Sequence, residues 1–295
     1  MKKLSRFWLN LQQIGALILN LLSCNLLAQD VKPTPGVSPD LLKGVVSIEL
    51  RTPSGICQPI GTGFLVATAS NFVALVSAKH VVFPDGANVV PTNLVYRINH
   101  ISGKSGIISD ADVSVQAGPW FASTNSDIAF RFFPHPNDED IKVTPTSMWL
   151  RANALRPGAP VVIFGFPMGL RSEDYPKPIV RRGIVASTGD ASKFILDALV
   201  FPGNSGGPVY FEPVYKLTFG PGFSHQQSDL DQTMLIGVVV EYIPYNDTAI
   251  SAQTKQPRVM FQENSGLALV VPIDQLFELM NREDVKHLQE AWLPK

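Results

Sequence analysis

The chain has 295 residues, of which 45% are hydrophobic and 17% are charged, so it carries enough apolar surface for a folded core. Its formal net charge of −1 argues against a nucleic-acid surface or a broad patch for anionic membranes, since both need clustered positive charge. Two cysteines are too few for a disulfide framework or a cysteine metal site. The composition therefore predicts a globular protein with few covalent cross-links.

Residues 1–28 have the pattern of a secretory signal peptide. Three basic residues give a positive start, and the apolar stretch that follows over 14–22 is too short for a convincing membrane span. Cleavage after Ala28 is the favoured site, while Cys24 offers a competing lipoprotein site, so membrane attachment depends on lipidation of Cys24. We expect an exported protein, periplasmic or extracellular, with a formal net charge of −4 once residues 1–28 are removed.

The rest of the chain shows strands rather than helices. Residues 29–40 contain three prolines and are predicted to form a linker. Beyond them, short runs rich in β-branched and aromatic residues alternate with turn residues, which is typical of β-strands. The predicted strands are 44–50, 62–67, 72–77, 93–98, 107–115 and 127–133, then 160–166, 182–187, 193–198, 207–211, 234–242 and 266–271.

Only the tail, from Ile273 to Leu288, has apolar residues at helical spacing. We therefore expect an all-β protein of two packed six-stranded antiparallel β-barrels, the first over 41–145 and the second over 146–295 with a C-terminal helix. Two polar segments inside the second half, Glu212–Thr233 and Pro244–Asn264, are predicted to be long loops. Each is either a rim that shapes a cleft or a solvated surface loop.

Three short motifs carry candidate chemistry, and their order is informative. His80 directly follows an apolar strand in SAKHVV, and Asp127 opens the apolar strand DIAF. Ser205 lies in the turn GNSGGPV, where glycines permit a tight backbone bend that leaves a hydroxyl beside free amides. The first two motifs are weak alone, because a histidine or aspartate beside a strand is usually structural. The third is much more specific.

Together these motifs resemble the trypsin-like (chymotrypsin-fold) serine endopeptidases, and most of all their bacterial secreted HtrA-type branch. Three further segments support the resemblance, which extends from about Val45 to Met280: GTGFLV, GFPMG and GLALVVP. The resemblance implies a chymotrypsin-like pair of barrels. It also implies a protein or peptide substrate in the cleft between them. We expect no PDZ module, which many HtrA-type enzymes append, because the sequence ends soon after the closing helix.

Acyl transfer assigns a role to each residue of the triad. His80 is the expected general base, Asp127 is expected to orient its ring, and Ser205 is the expected nucleophile. The oxyanion hole is expected from Gly203, Asn204 and Ser205, with the amides of Gly203 and Ser205 as donors. Asn204 stands where digestive enzymes have an aspartate, which suggests that activation does not depend on zymogen cleavage.

The resemblance also points to the substrate pocket. Leu199, six residues before Ser205, is expected to form an apolar pocket floor, which predicts small or medium apolar P1 side chains and poor acceptance of lysine or arginine. Val240 and Glu241 lie on the strand expected to pair with the substrate backbone. These two residues differ from those of the digestive enzymes, so the finer subsite preferences are not predicted.

Other candidates have less support. Asp110 and Asp112 are rivals to Asp127, but they lie in an alternating stretch typical of a solvated strand. Four histidines have no motif context, namely His100, His135, His225 and His287. Cys57 is expected to be a small buried side chain rather than a catalytic thiol. No HExxH, CxxC, P-loop or dinucleotide fingerprint is present, so no metal or nucleotide cofactor is implied.

Two alternatives to general proteolysis remain open. The first is a pseudoprotease that keeps the motifs while it acts as a binding or scaffold protein. The second is a hydrolase of the same mechanism that acts on esters or on one dedicated protein, because the triad sets the chemistry while the loops select the substrate. The oligomeric state is not predicted.

Overall fold

The computed structural model describes residues 37–68, 72–86, 89–134, 139–172, 176–189, 192–213, 216–218, 224–226 and 233–292. The predicted signal peptide and most of the predicted linker, as well as much of the predicted loop 212–233, lie outside these residues. All the elements below belong to one structural unit that begins at Pro39.

The first sheet has seven antiparallel strands in the order β5-β4-β1-β2-β3-β7-β6. Its strands are β1 (Val45–Arg51), β2 (Cys57–Ala67), β3 (Val73–Ser77), β4 (Leu94–Asn99), β5 (Ser105–Ser109), β6 (Phe121–Ala122) and β7 (Ala129–Phe132). We expected six strands and a barrel here. The extra strand is the two-residue β6, which pairs with β7, and in the described part of the chain β5 and β6 are the two edges of the sheet.

The second sheet closes into a six-stranded barrel in the order β10-β15-β14-β11-β8-β9, as the sequence predicts. Its strands are β8 (Pro160–Gly165), β9 (Ile179–Ser187), β10 (Phe194–Asp197), β11 (Pro208–Phe211), β14 (Met234–Ile250) and β15 (Pro257–Pro272), while the short strands β12 (Lys216–Thr218) and β13 (Ser224–Gln226) pair only with each other. Alternate apolar side chains from these strands fill the barrel with a buried core that includes Ile163, Val209 and Val270.

The expected C-terminal helix is confirmed, but it is divided in two. The helices are α1 (Pro39–Lys43), α2 (Lys79–Val82), α3 (Asp110–Ala117), α4 (Ile273–Met280) and α5 (Glu283–Trp292). Ile273, Leu276 and Leu279 are the buried face of α4. The all-β prediction is therefore confirmed in outline.

The predicted strand 107–115 is wrong over most of its length, because α3 begins at Asp110. The Ser109 hydroxyl accepts the Asp112 N–H at 3.1 Å, which satisfies a free amide of the first turn. Two acidic residues in that turn, Asp110 and Asp112, also suit the positive end of a helix. Because the polar and apolar residues of this segment alternate, the sequence predicted a strand where the structure has a capped helix.

The predicted loop Pro244–Asn264 is also wrong. β14 and β15 continue past the barrel as a two-stranded antiparallel ribbon, in which Pro244 pairs with Asn264 and Ile250 with Pro257. We call residues 244–264 the β-arm. Its polar sequence resembles a loop because both faces of the ribbon are exposed to solvent, so the alternation of one buried face is missing.

Candidate active site

His80 and Asp127 lie side by side because the strands that lead to them are neighbours. β3 ends at Ser77, α2 begins two residues later, and Ser77 pairs with Ala129 at the start of β7. The Asp127 carboxylate contacts His80 twice. Its Oδ2 lies 2.7 Å from His80 Nδ1, and its Oδ1 accepts the backbone N–H of His80 at 3.0 Å. These two contacts fix the orientation of the imidazole ring.

The electrostatics of this pair keep the carboxylate ionised. Burial raises the pKa of Asp127, but the hydrogen bonds and charge of His80, with a smaller contribution from Lys193, outweigh burial and hold the pKa below its ordinary value. With an ionised carboxylate as acceptor, a neutral His80 carries its proton on Nδ1 and leaves Nε2 as an acceptor. The pair can therefore present a base at Nε2.

Ser205 lies in the glycine-rich turn before β11, and the first sheet holds this turn in place. The Ser205 carbonyl accepts the backbone N–H of Thr62, in β2, at 2.9 Å. Gly206 has a φ of +84°, and a Cβ at this position would collide with the Thr62 carbonyl and would lie 2.9 Å from the backbone nitrogen of Ala78. The turn thus packs directly against the beginning of α2, the helix that carries His80.

The Ser205 hydroxyl is hydrogen-bonded to the backbone of β14. Its Oγ donates to the carbonyl of Val240, in β14, at 3.3 Å, and among the described residues no hydrogen bond joins it to the His80 ring. A bulge between Val239 and Glu241 interrupts the pairing of β14 with β15 at Val240. The structure brings the three triad candidates to one region but joins only His80 and Asp127 by a hydrogen bond.

Both N–H groups expected to donate in the oxyanion hole lack another acceptor. The N–H groups of Gly203 and Ser205 donate no hydrogen bond to any described residue, whereas the N–H of Asn204, which lies between them, donates to the Phe201 carbonyl at 2.9 Å. The Asn204 side chain is fully buried, and its Oδ1 accepts the Phe201 N–H at 3.0 Å. The buried Asn204 side chain thus stabilises the turn that bears Ser205.

Two residues outside the predicted site hold the Gly203 amide in its orientation. The N–H of Met168 donates to the Pro202 carbonyl at 2.6 Å, and the Thr62 hydroxyl donates to the Gly203 carbonyl at 2.6 Å. In a planar trans peptide the C=O and N–H point in opposite directions, so fixing the Pro202 carbonyl turns the Gly203 N–H away from Met168.

Only part of this support for the Gly203 amide could be recognised in the sequence. Thr62 lies in the GTGF motif, which was noted for family resemblance but not for a contact with Gly203. Met168 has a φ of 55°, a conformation that is uncommon for a residue with a side chain. Nothing in the sequence GFPMG signals that Met168 adopts it or that its amide reaches Pro202.

The three residues expected to form the substrate pocket differ in their exposure to solvent. Leu199 is 52% exposed, while its neighbours Ala198 and Val200 are buried. Val240 is buried and touches Ser205 through its carbonyl, and the Glu241 side chain is exposed.

The rival acids have structural partners instead. Asp110 accepts from Arg131 at 2.5 Å and from the Tyr96 hydroxyl, and Asp112 accepts from the Ser109 hydroxyl at 2.5 Å within α3. His100 contacts Ser102, and His287 lies 3.7 Å from Glu290 on α5. His135 and the side chain of His225 lie outside the described residues. Cys57 is half-buried, which differs from the fully buried position expected for it.

A family comparison agrees with this geometry. The family model described as a trypsin-like peptidase domain matches residues 61–212, slightly more than half of the chain. The chain therefore belongs to the trypsin-like peptidase family, a family of serine endopeptidases. The match includes His80, Asp127 and Ser205.

Solved structures give further likenesses at low identity. The HtrA-type protease AlgW, solved with a tripeptide, is 17% identical with a TM-score of 0.46, and the match covers 84% of this chain and 62% of that one. The serine endoprotease from Yersinia pestis is 16% identical with a TM-score of 0.48, and the match covers 87% and 69%. The chain thus spans less than two thirds of the length of AlgW. No curated protein sequence matches this chain significantly.

None of the helices in the described part of the chain combines the length and hydropathy that a membrane span requires. No group of three or more His, Cys, Asp or Glu side chains among the described residues could hold a metal ion.

Proposed function

We propose that the protein is a serine endopeptidase in which Ser205 attacks the substrate carbonyl, His80 transfers protons and Asp127 orients His80. The observation that carries the proposal is the 2.7 Å contact between His80 Nδ1 and Asp127 Oδ2, beside the turn that bears Ser205. This contact leaves Nε2 as the only ring nitrogen able to accept a proton. A peptide or protein substrate follows from the family.

The acylation step begins with a reorientation of the nucleophile. The Ser205 hydroxyl leaves the Val240 carbonyl and donates to His80 Nε2. The Oγ–carbon bond then forms as Nε2 takes the hydroxyl proton, and the carbonyl oxygen becomes negative. When the tetrahedral intermediate collapses, the carbon–nitrogen bond breaks, and the imidazolium gives its proton to the leaving amine.

Deacylation repeats the sequence with water. His80 Nε2 takes a proton from a water molecule, whose oxygen bonds to the acyl carbon. The Oγ–carbon bond breaks, the proton returns to Oγ, and the carboxylic acid product leaves. In both steps the Gly203 and Ser205 amides are the proposed donors to the negative oxygen, each contributing on the order of 3 kcal/mol.

We also propose a preference for apolar P1 residues. Leu199 supports it as an exposed apolar side chain six residues before Ser205. A peptide-library cleavage profile tests this preference. A profile dominated by lysine or arginine at P1 would contradict it and would leave the triad untouched.

The pseudoprotease alternative has one specific observation in its favour. The Ser205 hydroxyl is hydrogen-bonded to Val240 rather than to His80. If that arrangement persisted with substrate bound, the hydroxyl would not lose its proton to the imidazole, and the cleft would bind peptides without cleaving them.

Active-site labelling separates the two functions. We expect a fluorophosphonate probe to label the wild-type protein and the control variant Ser102→Ala, whose serine lies in the turn between β4 and β5. Ser205→Ala should not be labelled, and His80→Ala should lose roughly six orders of magnitude in kcat, because the triad acts as a unit. Labelling that persists in Ser205→Ala would overturn the assignment, and an unlabelled wild type would favour the pseudoprotease.

Export is the last part of the proposal. We propose that residues 1–28 direct secretion, supported by their basic start and apolar centre. N-terminal sequencing of the mature protein should begin at Gln29. Metabolic incorporation of a fatty acid that disappears in Cys24→Ala would instead establish a lipoprotein.

A further inference from the structure

The segment that follows β8 forms a tight turn next to the candidate oxyanion hole. We call residues 166–171 the support turn. Two of its N–H groups donate to carbonyls three residues earlier in the chain, at 3.0 Å each. Met168, in the middle of the turn, donates its N–H to the Pro202 carbonyl at 2.6 Å and so orients the Gly203 amide. The backbone of Met168 is therefore the direct support of one oxyanion donor.

The conformation of Met168 has to be held by contacts elsewhere in the turn. Its φ of 55° lies in the left-handed region, which a residue with a side chain adopts only at a cost in free energy. The Met168 side chain is 59% exposed, so its own burial does little to offset that cost. The surrounding structure must stabilise the backbone instead.

Both ends of the support turn are hydrogen-bonded to the first sheet. At its start, the Phe166 N–H donates to the Thr62 hydroxyl, in β2, at 3.1 Å. At its end, Arg171 Nη2 donates to Glu49 Oε2 at 2.9 Å and to the Cys57 carbonyl at 3.2 Å. Glu49 lies in β1 and Cys57 begins β2. One guanidinium therefore fixes the end of the turn against two strands.

The contact between Arg171 and Glu49 is a buried ion pair. The Arg171 side chain is 5% exposed and the Glu49 side chain is fully buried. A buried charge without its partner is costly, so the guanidinium is held firmly beside the carboxylate. Only two residues separate Arg171 from Met168, and the hydrogen bonds of the turn restrict the backbone between them. A shift of Arg171 must therefore reach Met168.

We propose that Arg171 is a positioning residue for the oxyanion hole, which holds Met168 in its left-handed conformation and, through Met168, the Gly203 amide. This inference rests on the proposed function, because it assigns Arg171 an effect on the transition state of peptide hydrolysis. When Arg171 is released, Met168 relaxes to a conformation with negative φ and its N–H leaves the Pro202 carbonyl. The peptide between Pro202 and Gly203 is then free to rotate, and one donor to the negative oxygen is lost.

Arg97 offers a matched control, because it binds the same carboxylate from within the first sheet. Arg97 Nε donates to Glu49 Oε1 at 2.9 Å, and its Nη1 donates to the Ser105 hydroxyl at 2.9 Å. Either Arg171→Met or Arg97→Met thus removes one guanidinium from Glu49, and the two variants should lose similar amounts of unfolding free energy. Only Arg171 belongs to the support turn. Urea denaturation identifies conditions in which both variants are folded.

The first measurement is the rate of labelling by the fluorophosphonate, whose phosphoryl oxygen takes the place of the oxyanion. We expect labelling to be roughly ten- to a hundredfold slower in Arg171→Met than in wild type, and to stay within about threefold of wild type in Arg97→Met. With a peptide anilide that has valine at P1, the loss should fall on kcat rather than KM. Equal rates in the two variants would overturn the inference. An unlabelled wild type would overturn the proposed function instead.

A milder pair of variants covers the case in which Arg171→Met does not fold. Lysine keeps a cation beside Glu49 but lacks the planar fork of arginine. Arg171→Lys should therefore be labelled more slowly than Arg97→Lys, by a factor of roughly three to ten. The inference fails if these two lysine variants are labelled at the same rate.

A double-mutant cycle tests whether Arg171 acts through Met168. Glycine adopts a positive φ without the cost that methionine has, so in Met168→Gly the turn depends less on its contact with the first sheet. Arg171→Met should consequently slow labelling severalfold less in the Met168→Gly background than in the wild-type background. The same slowing in both backgrounds would contradict the action through Met168, and the inference with it.

Discussion

The two β-sheets differ in the kinds of side chain that they bury. The first sheet buries charged side chains beside an apolar core that includes Ile48, Leu65 and Leu75. Glu49 is fully buried, with Arg97 Nε 2.9 Å and Arg171 Nε 2.6 Å from its Oε1, and the buried Arg131 pairs with Asp110. In contrast, the core of the second barrel is an apolar cluster. This difference suggests that the two sheets have different roles at the candidate active site.

The first sheet holds the pair formed by His80 and Asp127 in a fixed orientation. The second barrel supplies glycine-rich backbone, which can present amides and a hydroxyl without side chains in the way. Burying a charged group is costly unless it is fully paired, so the first sheet is the half that single substitutions should damage most.

The largest expected effect is on the orienting acid. Asp127→Asn should lower kcat by about four orders of magnitude, because an amide can favour the wrong tautomer of His80. Steady-state kinetics measure the loss, and labelling by the fluorophosphonate should slow in parallel. A variant with wild-type kcat would show that Asp127 does not orient the base.

The same substitution has a defined pH dependence in stability. The pKa of Asp127 is lower in the folded protein than its ordinary value, so its contribution to stability is present above the unfolded value of 3.8 and is lost as the pH falls through the folded pKa. Wild type and Asp127→Asn should therefore differ in unfolding free energy at pH 6, and the difference should shrink as the pH falls below 3.8. Urea denaturation at pH 6 and through the acid range checks the sign. A difference that grows toward low pH would contradict it.

The next effect concerns the buried charge cluster of the first sheet. Glu49→Ala leaves two buried guanidinium groups without their shared carboxylate and should cost about 3–5 kcal/mol of unfolding free energy. The control Glu212→Ala removes an exposed ion pair with Arg182 and should cost at most about 1 kcal/mol. Chemical denaturation compares the two variants. Equal losses would mean that the contrast between the two halves is not energetic.

The smallest effect tests the support of the oxyanion amides. Thr62→Val keeps the shape of the side chain but removes the hydroxyl that donates to Gly203 and accepts from the Phe166 N–H at 3.1 Å. We expect kcat to fall roughly ten- to a hundredfold with little change in KM, because each oxyanion donor acts mainly in the transition state. Thr62→Ser keeps the hydroxyl and should retain most activity. An equal loss in both variants would indicate a packing effect.

Three elements of the candidate site can be recognised in the sequence because each of them is local. A histidine after a strand, an aspartate before one and a serine between glycines can each be recognised within a few residues. The closed second barrel and the C-terminal helical region were predicted for the same reason, since alternation and helical spacing are visible in short windows.

The features that were not predicted depend on contacts that a short stretch of sequence does not reveal. The amide of Asn204 is occupied by a carbonyl three residues away, and the Gly203 amide is oriented by Met168 and Thr62 from distant segments. The β-arm was missed because a ribbon exposed on both faces lacks the pattern that reveals a buried strand. The helix α3 was missed because the polar and apolar residues of its segment alternate as in a solvated strand.

The contacts of Thr62 and Arg171 affect how the protein unfolds. Thr62 extends from the first sheet to the oxyanion turn, and Arg171, from the segment after β8, extends back to Glu49. Each half thus completes the interior of the other. Separating them removes one of the two guanidinium partners of Glu49 on one side and leaves an unsupported turn on the other, so melting of either half should disrupt both in a single cooperative transition, with no stable half-protein left behind.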